Sequence, residues 1–112
     1  MGLFKGISGG NTNITPQEAR RMMDESDQII ILDVRTPEEY KEIRIEGAKL
    51  IPVDELGGRA AAELPDKDIR ILVYCRSGGR AGTAVKMLKR MGYAHVYNFG
   101  GIMNWPYAVL KG

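Results

Sequence analysis

The stretch RILVYCRSGGRAGTAVKMLKRMG (Arg70–Gly92) indicates the architecture of this 112-residue chain more clearly than any other segment. IRILVYC (69–75) is a short, mainly apolar run, which predicts a strand. Apolar residues then recur at helical spacing, and Gly92 stands where a helix C-cap is expected. A glycine- and arginine-rich turn joins the two, so the stretch predicts a strand, a tight turn and a helix.

Three further runs predict strands. IIILDV (29–34) is apolar and β-branched, which is typical of a strand buried on both faces. AKLIPV (48–53) and HVYNF (95–99) predict two more strands. DELGGRAAAEL (54–64) predicts a helix interrupted at its two glycines, and GIMNWPYAVL (101–110) predicts a last short helix.

The sequence also predicts where two more helices begin. Thr15 is followed by Pro16 and Glu18, and the same pattern of N-cap, proline and capping-box glutamate recurs from Thr36 to Glu39. Strands that alternate with helices through short links predict an α/β fold, with a parallel sheet covered on both faces. Ligands of such sheets bind beyond the carboxyl ends of the strands, where Cys75 falls.

Composition favours one ordinary globular domain, which we place at residues 14–112 after a leader or edge segment, 1–13. The chain is 44% hydrophobic and 27% charged, with a net charge of +2, so no nucleic-acid partner is indicated. No apolar run is long enough for a signal peptide or a membrane span, which predicts a cytoplasmic protein without a membrane partner. The single cysteine permits no internal disulfide, as is usual in a reducing compartment.

The turn CRSGGR has the chemistry of an anion site. Gly78 and Gly79 allow the backbone to curl, so that successive N–H groups turn inward. The following helix adds its positive N-terminal end, and Arg76 and Arg80 add fixed charge. These features favour the thiolate of Cys75, which is the nucleophilic form.

Two other interpretations of this cysteine remain open from the residues alone. A lone cysteine is often a small hydrophobic core residue. Cysteine-dependent phosphatases also use such a loop, but with one more residue between cysteine and arginine; here that position is Ala81, and the arginine comes one residue earlier, at Arg80. A tighter ring of amides would crowd phosphate oxygens, whereas a single sulfur atom would fit.

Four motifs resemble the rhodanese family, the single-domain sulfurtransferases. They are, in chain order, ILDVRTPEEY, RIEGAKLIP, YCRSGGRA and FGGIMNW. The resemblance extends from about Thr15 to Leu110. It implies an α/β fold with a five-stranded parallel sheet and helices on both faces.

The resemblance also implies a reaction and a set of roles. Cys75 would take a sulfane sulfur from thiosulfate or a similar anionic donor and pass it to cyanide, a thiol or a protein acceptor. Arg76 and Arg80 would orient the donor. The residues whose backbone amides would hold the persulfide are Arg76, Ser77, Gly78, Gly79 and Arg80. No cofactor or metal is implied, and nothing in the sequence demands more than a monomer.

Several positions have more than one interpretation. The family's usual histidine and proline are replaced by Arg44 and Glu46, which we expect to lie in solvent rather than to pair. Asp33 and Arg35 could support the site, although a structural ion pair or a helix cap is the commoner role of such residues. Trp105 could line the pocket or pack beneath the loop.

Two alternative functions stay open at this point. A sulfur-carrier or binding module would form the same persulfide and turn over slowly without its partner. A cysteine phosphatase or arsenate reductase is less favoured, because the loop is one residue too short.

Overall fold

The computed structural model describes residues 12–112. In chain order, the helices are α1 (Pro16–Glu25), α2 (Pro37–Glu42), α3 (Leu56–Glu63) and α4 (Gly79–Arg90). The strands are β1 (Ile29–Asp33), β2 (Ile43–Arg44), β3 (Lys49–Leu50), β4 (Arg70–Cys75), β5 (His95–Gly101) and β6 (Leu110–Lys111). The first eleven residues of the predicted leader, 1–13, lie outside the described residues, so the division into leader and domain stays a prediction.

The central sheet is parallel, and its strands lie in the order β3-β1-β4-β5. Within residues 12–112 the sheet has four strands, whereas five were expected. At the outer edge of β5, Asn13 forms one isolated parallel bridge to Asn98. Toward the C-terminus the bridge extends no further, because Thr15 already caps α1 and the chain leaves the sheet edge there.

Both predicted capping boxes are present. The Thr15 hydroxyl accepts from the Glu18 amide at 3.0 Å, and the Glu18 carboxylate accepts from the Thr15 amide at 2.7 Å. Thr36 and Glu39 repeat this exchange at the start of α2. The predicted C-cap also holds, because α4 ends at Arg90 and Gly92 has a φ of +99°. These ends depend on neighbours in sequence, which is why the sequence reveals them.

Helices cover both faces of the sheet, as predicted. One core layer lies between the sheet and helices α3 and α4, and it contains Val73 and Cys75 of β4. The opposite layer contains Leu72 and Tyr74 of the same strand, together with Ala19 of α1. This alternation follows from the two-residue period of a strand. It directs Cys75 toward the face on which α4 packs.

Two local predictions are wrong. Helix α3 is continuous through Gly57 and Gly58, because the burial of Leu56 and Ala60 on its inner face outweighs the weak helix propensity of glycine. The expected last helix is only a 3-10 turn, Ile102–Asn104, after which β6 pairs antiparallel with β2. Of the helices formed by residues 12–112, none has the length and apolar character to cross a bilayer.

Candidate active site

Cys75 is the last residue of β4, at the carboxyl edge of the parallel sheet. The pairing with β5 shifts register between Val73 and Cys75, a bulge that changes the direction of the strand end. The turn then closes within three residues, and α4 begins at Gly79. Gly78 has a φ of +113°, a conformation that favours glycine.

The cysteine sulfur faces two backbone amides. The Gly78 N–H donates to Cys75 Sγ at 3.0 Å, and the Ala81 N–H donates at 3.4 Å. Gly78 is one of the five residues whose amides the sequence predicts at this site. Ala81, which is not among those five residues, provides the second contact because the first turn of α4 has free N–H groups.

The side chain of Cys75 is only 1% exposed and belongs to the core layer beneath α4. This burial agrees in part with the interpretation of Cys75 as a small core residue. A hydrophobic role would not by itself require two N–H groups aimed at the sulfur. The N-terminal end of a 12-residue helix adds a partial positive charge at the same point, which favours negative charge on the sulfur.

The two arginines of the loop differ in their surroundings. Arg76 is exposed, and its side chain forms no salt bridge with any of residues 12–112. Arg80 donates two hydrogen bonds to Glu39, from Nη1 to Oε1 at 2.7 Å and from Nη2 to Oε2 at 3.0 Å. The sequence identifies Glu39 only as a capping residue, and its link to Arg80 spans 41 positions.

The end of β5 holds the loop from the other side. Asn98 Nδ2 donates to the Gly78 carbonyl at 3.2 Å, and Asn98 Oδ1 accepts from the Gly100 amide at 2.8 Å. Gly101 lies against the backbone of Arg76, where a Cβ atom would collide. The sequence did not point to Asn98. The available signal of close backbone approach was the glycine pair Gly100 and Gly101, at the end of β5.

A cavity of about 340 Å³ borders the outer side of the loop. Ser77 and Gly78 form one wall, and Asn98, Phe99 and Asn104 contribute to the others. Ser77 and Gly79 are themselves exposed. The loop therefore presents polar backbone to solvent, whereas the sulfur lies beneath it.

Asp33 and Arg35 form a buried ion pair beside the site, with side chains that are 0% and 2% exposed. Arg35 Nη2 donates to Asp33 Oδ2 at 2.7 Å, and Arg35 Nε donates to Asp33 Oδ1 at 3.0 Å. Arg35 Nη2 also donates to the Ile43 carbonyl at 2.6 Å. This pair joins the end of β1 to β2, which is the structural role that the sequence favoured.

Trp105 packs into the core and does not line the cavity beside the loop. Its ring lies 5.2 Å from the ring of Phe99 and 4.9 Å from that of Tyr107, measured between centroids. Phe99 in turn contacts Tyr74 on β4. The tryptophan therefore belongs to the core layer on the face of the sheet opposite to Cys75.

Contrary to the prediction, the side chain of Arg44 does not lie free in solvent. Its guanidinium lies over the Tyr40 ring, 5.2 Å from the centroid, and Nη1 donates to the Tyr40 carbonyl. Glu46 is exposed, as predicted. The substitution of the family histidine therefore leaves a half-buried side chain that packs on α2.

The sequence matches the family model of the rhodanese-like domain over residues 15–107. The chain belongs to the rhodanese-like family. Among related rhodanese-like proteins, it is 41% identical over 81 residues to the thiosulfate sulfurtransferase PspE of Escherichia coli (strain K12). That match covers 72% of this chain and 78% of the relative.

A second relative is the sulfurtransferase of Allochromatium vinosum, which is 36% identical over 88 residues, 78% of this chain and 79% of that protein. A solved rhodanese with anions from E. coli is 39% identical and has a TM-score of 0.70, covering 75% of this chain and 99% of that one. The predicted rhodanese-like α/β fold is thus confirmed. Together the relatives and the fold identify this rhodanese-like protein as a sulfurtransferase.

Proposed function

We propose that the protein transfers a sulfane sulfur through a persulfide on Cys75. The main support is the pair of backbone N–H groups, from Gly78 and Ala81, that approach Sγ at 3.0 and 3.4 Å. Amide donors of this kind stabilise a sulfur anion, and the N-terminal end of α4 adds to their effect. The thiolate is the form of a cysteine that attacks as a nucleophile.

The proposed first half-reaction uses thiosulfate. The Cys75 thiolate attacks the outer sulfur of the donor and forms a new S–S bond. The bond between that sulfur and the sulfonate breaks, and its electron pair leaves with sulfite. The charge on the enzyme sulfur moves one atom outward, onto the persulfide.

In the second half-reaction the acceptor attacks the outer sulfur of the persulfide. Cyanide forms thiocyanate, and a thiolate forms a new persulfide. In each case the electron pair of the broken S–S bond returns to Cys75. No net oxidation or reduction of the protein occurs over the cycle.

We assign the outer sulfur to the ring of loop amides, and the donor's sulfonate to the guanidinium groups of Arg76 and Arg80. The residues whose amides would form the ring are Arg76, Ser77, Gly78, Gly79 and Arg80, with Ala81 added from the structure. Because Cys75 is almost fully buried, only a slim group can approach its sulfur closely. This favours a single sulfur atom over a phosphate group, whose oxygens would crowd the loop.

Asp33, Arg35 and Trp105 act in this proposal by positioning. The ion pair fixes the end of β1 beside β4, and the tryptophan packs beneath the strand that ends in Cys75. None of the three is assigned a contact with the donor.

Thiosulfate is proposed as donor because a relative is named a thiosulfate sulfurtransferase. A small thiol, cyanide or a protein is proposed as acceptor, and the cytoplasmic location and monomeric state stay predictions. A carrier of sulfur with slow turnover would use the same persulfide. The sulfurtransferase and the carrier therefore differ in the second half-reaction alone.

Intact-mass spectrometry before and after exposure to thiosulfate tests the proposal. We expect the mass to rise by one sulfur atom, a peptide map to place it on Cys75, and cyanide to remove it as thiocyanate. Cys75→Ser should form neither adduct nor thiocyanate, and its unchanged far-UV circular dichroism would show that it is folded. A folded wild-type protein that gains no sulfur would overturn the proposal. An adduct that cyanide and dithiothreitol remove only slowly would favour the carrier.

A further inference from the structure

The guanidinium of Arg80 is held by a carboxylate from a distant helix. Glu39, on α2, accepts both of its terminal N–H groups in a bidentate pair, with N–O distances of 2.7 and 3.0 Å. The side chains are 36% and 27% exposed. This geometry is the strong form of an ion pair, because two parallel hydrogen bonds fix both groups.

Glu39 is itself fixed in place and ionised. Its Oε1 accepts from the Thr36 amide at 2.9 Å as part of the capping box of α2. The hydrogen bond from Arg80 and those within the capping box lower the pKa of Glu39 to about 2. Glu39 therefore carries a negative charge at neutral pH, in direct contact with the guanidinium of Arg80.

The two arginines of the loop therefore differ in how much of their positive charge is available to an anion. The charge of Arg76 is uncompensated by any ion pair with the described residues. That of Arg80 is opposed by a carboxylate in direct contact. An anionic donor that approaches Arg80 must share the guanidinium with Glu39, and it meets the repulsion of that carboxylate at the same time.

We propose that Glu39 is a specificity-determining residue that weakens the site's preference for highly charged donors by engaging Arg80. The inference rests on the proposed function, since it concerns the donor of that reaction. Its chemical consequence is a smaller difference in affinity between dianions such as thiosulfate and sulfur donors of lower charge than two uncompensated arginines would give.

The expected size of the effect follows from Coulomb's law. Two unit charges on the order of 7 Å apart at an exposed, screened site interact by an amount that changes affinity roughly twofold to threefold. A dianion feels the carboxylate about twice as strongly as a monoanion does. Removal of the Glu39 charge should therefore help the dianion more.

The test compares Glu39→Gln with the wild-type protein on two donors, thiosulfate and the singly charged benzenethiosulfonate, with cyanide as acceptor. Glutamine keeps an oxygen for the Thr36 amide, so α2 keeps its cap. We expect the KM for thiosulfate to fall roughly threefold to tenfold, that for benzenethiosulfonate to fall less, and added salt to diminish the difference.

Three further variants separate charge from structure. Glu38→Gln removes the same charge from the same turn of α2, at an exposed side chain that has no salt bridge to Arg80, and should change neither KM. Glu39→Asp keeps the charge with a shorter reach and should stay near the wild-type ratio of the two KM values. In an Arg80→Gln background, Glu39→Gln should lower the KM for thiosulfate less than it does beside Arg80, because the part of the effect that acts through the guanidinium is then gone.

Equal changes in the two KM values would overturn the inference, as would a rise in the KM for thiosulfate or the same effect from Glu38→Gln. If Glu39→Gln does not fold, the comparison of Glu39→Asp with wild type decides, and a markedly altered KM ratio there would count against a charge effect. Failure of the proposed function is a separate outcome, since it would appear as a wild-type protein that gains no sulfur from either donor.

Discussion

Replacement of Gly101 by alanine should damage both stability and activity. Gly101 has φ and ψ of −144° and 160°, extended backbone that alanine also adopts, so the effect is purely steric. An added Cβ would lie well inside 3.0 Å of the Arg76 carbonyl group and of the Ser77 nitrogen, which are backbone atoms. Side-chain rotation cannot relieve this contact, and the Cys75 loop itself has to move.

The expected magnitudes follow from that movement. Overpacking against a well-packed neighbour lowers the free energy of unfolding by about 1–3 kcal/mol. That corresponds to a fall of roughly 1 M in the urea midpoint for a domain of this size. A displacement on the order of 1 Å at a reacting group lowers kcat/KM about a hundredfold.

Urea unfolding and the thiosulfate–cyanide assay measure the two effects. Gly82→Ala is the matched control, because a Cβ there meets only Asn98 Nδ2, at an ordinary 3.6 Å. Alanine in the interior of α4 should raise the free energy of unfolding by about 0.5–1 kcal/mol. If Gly101→Ala matched the wild type in both assays, the close approach of β5 to the loop would not be what positions Cys75.

Two further predictions concern buried and partly buried ion pairs. Asp33→Ala should lower the free energy of unfolding by about 3–5 kcal/mol, because it leaves the Arg35 guanidinium buried without its counter-ion; a urea midpoint equal to the wild type would contradict this. The hydrogen bonds from Arg80 and from Thr36 lower the pKa of Glu39 from 4.5 to about 2. The contribution of Glu39 to the free energy of unfolding is therefore complete above about pH 4.5 and is lost as the pH falls through about 2. Thermal melts over that range should therefore show a smaller loss of stability for Glu39→Gln than for the wild type, and parallel losses would refute the assignment.

Local sequence patterns predicted those parts of the fold that depend on near neighbours. The capping boxes at Thr15 and Thr36 and the C-terminal end of α4 at Gly92 are settled by groups within four residues, and all three are present. The two wrong predictions of local secondary structure fall where distant packing outweighs propensity. Glycines in α3 are tolerated because its inner face is buried, and the C-terminal segment becomes a strand because β2 is available for pairing.

At the candidate site, the sequence predicted the thiol, the loop and its charges, because cysteine, glycine and arginine would act there through intrinsic chemistry and backbone freedom. It did not reveal that Glu39 neutralises Arg80, that Asn98 holds Gly78, or that Ala81 contributes an amide. Those contacts join residues that the chain separates but the sheet brings together at the carboxyl ends of its strands. Their partners are therefore fixed by topology and register, which a local pattern does not encode.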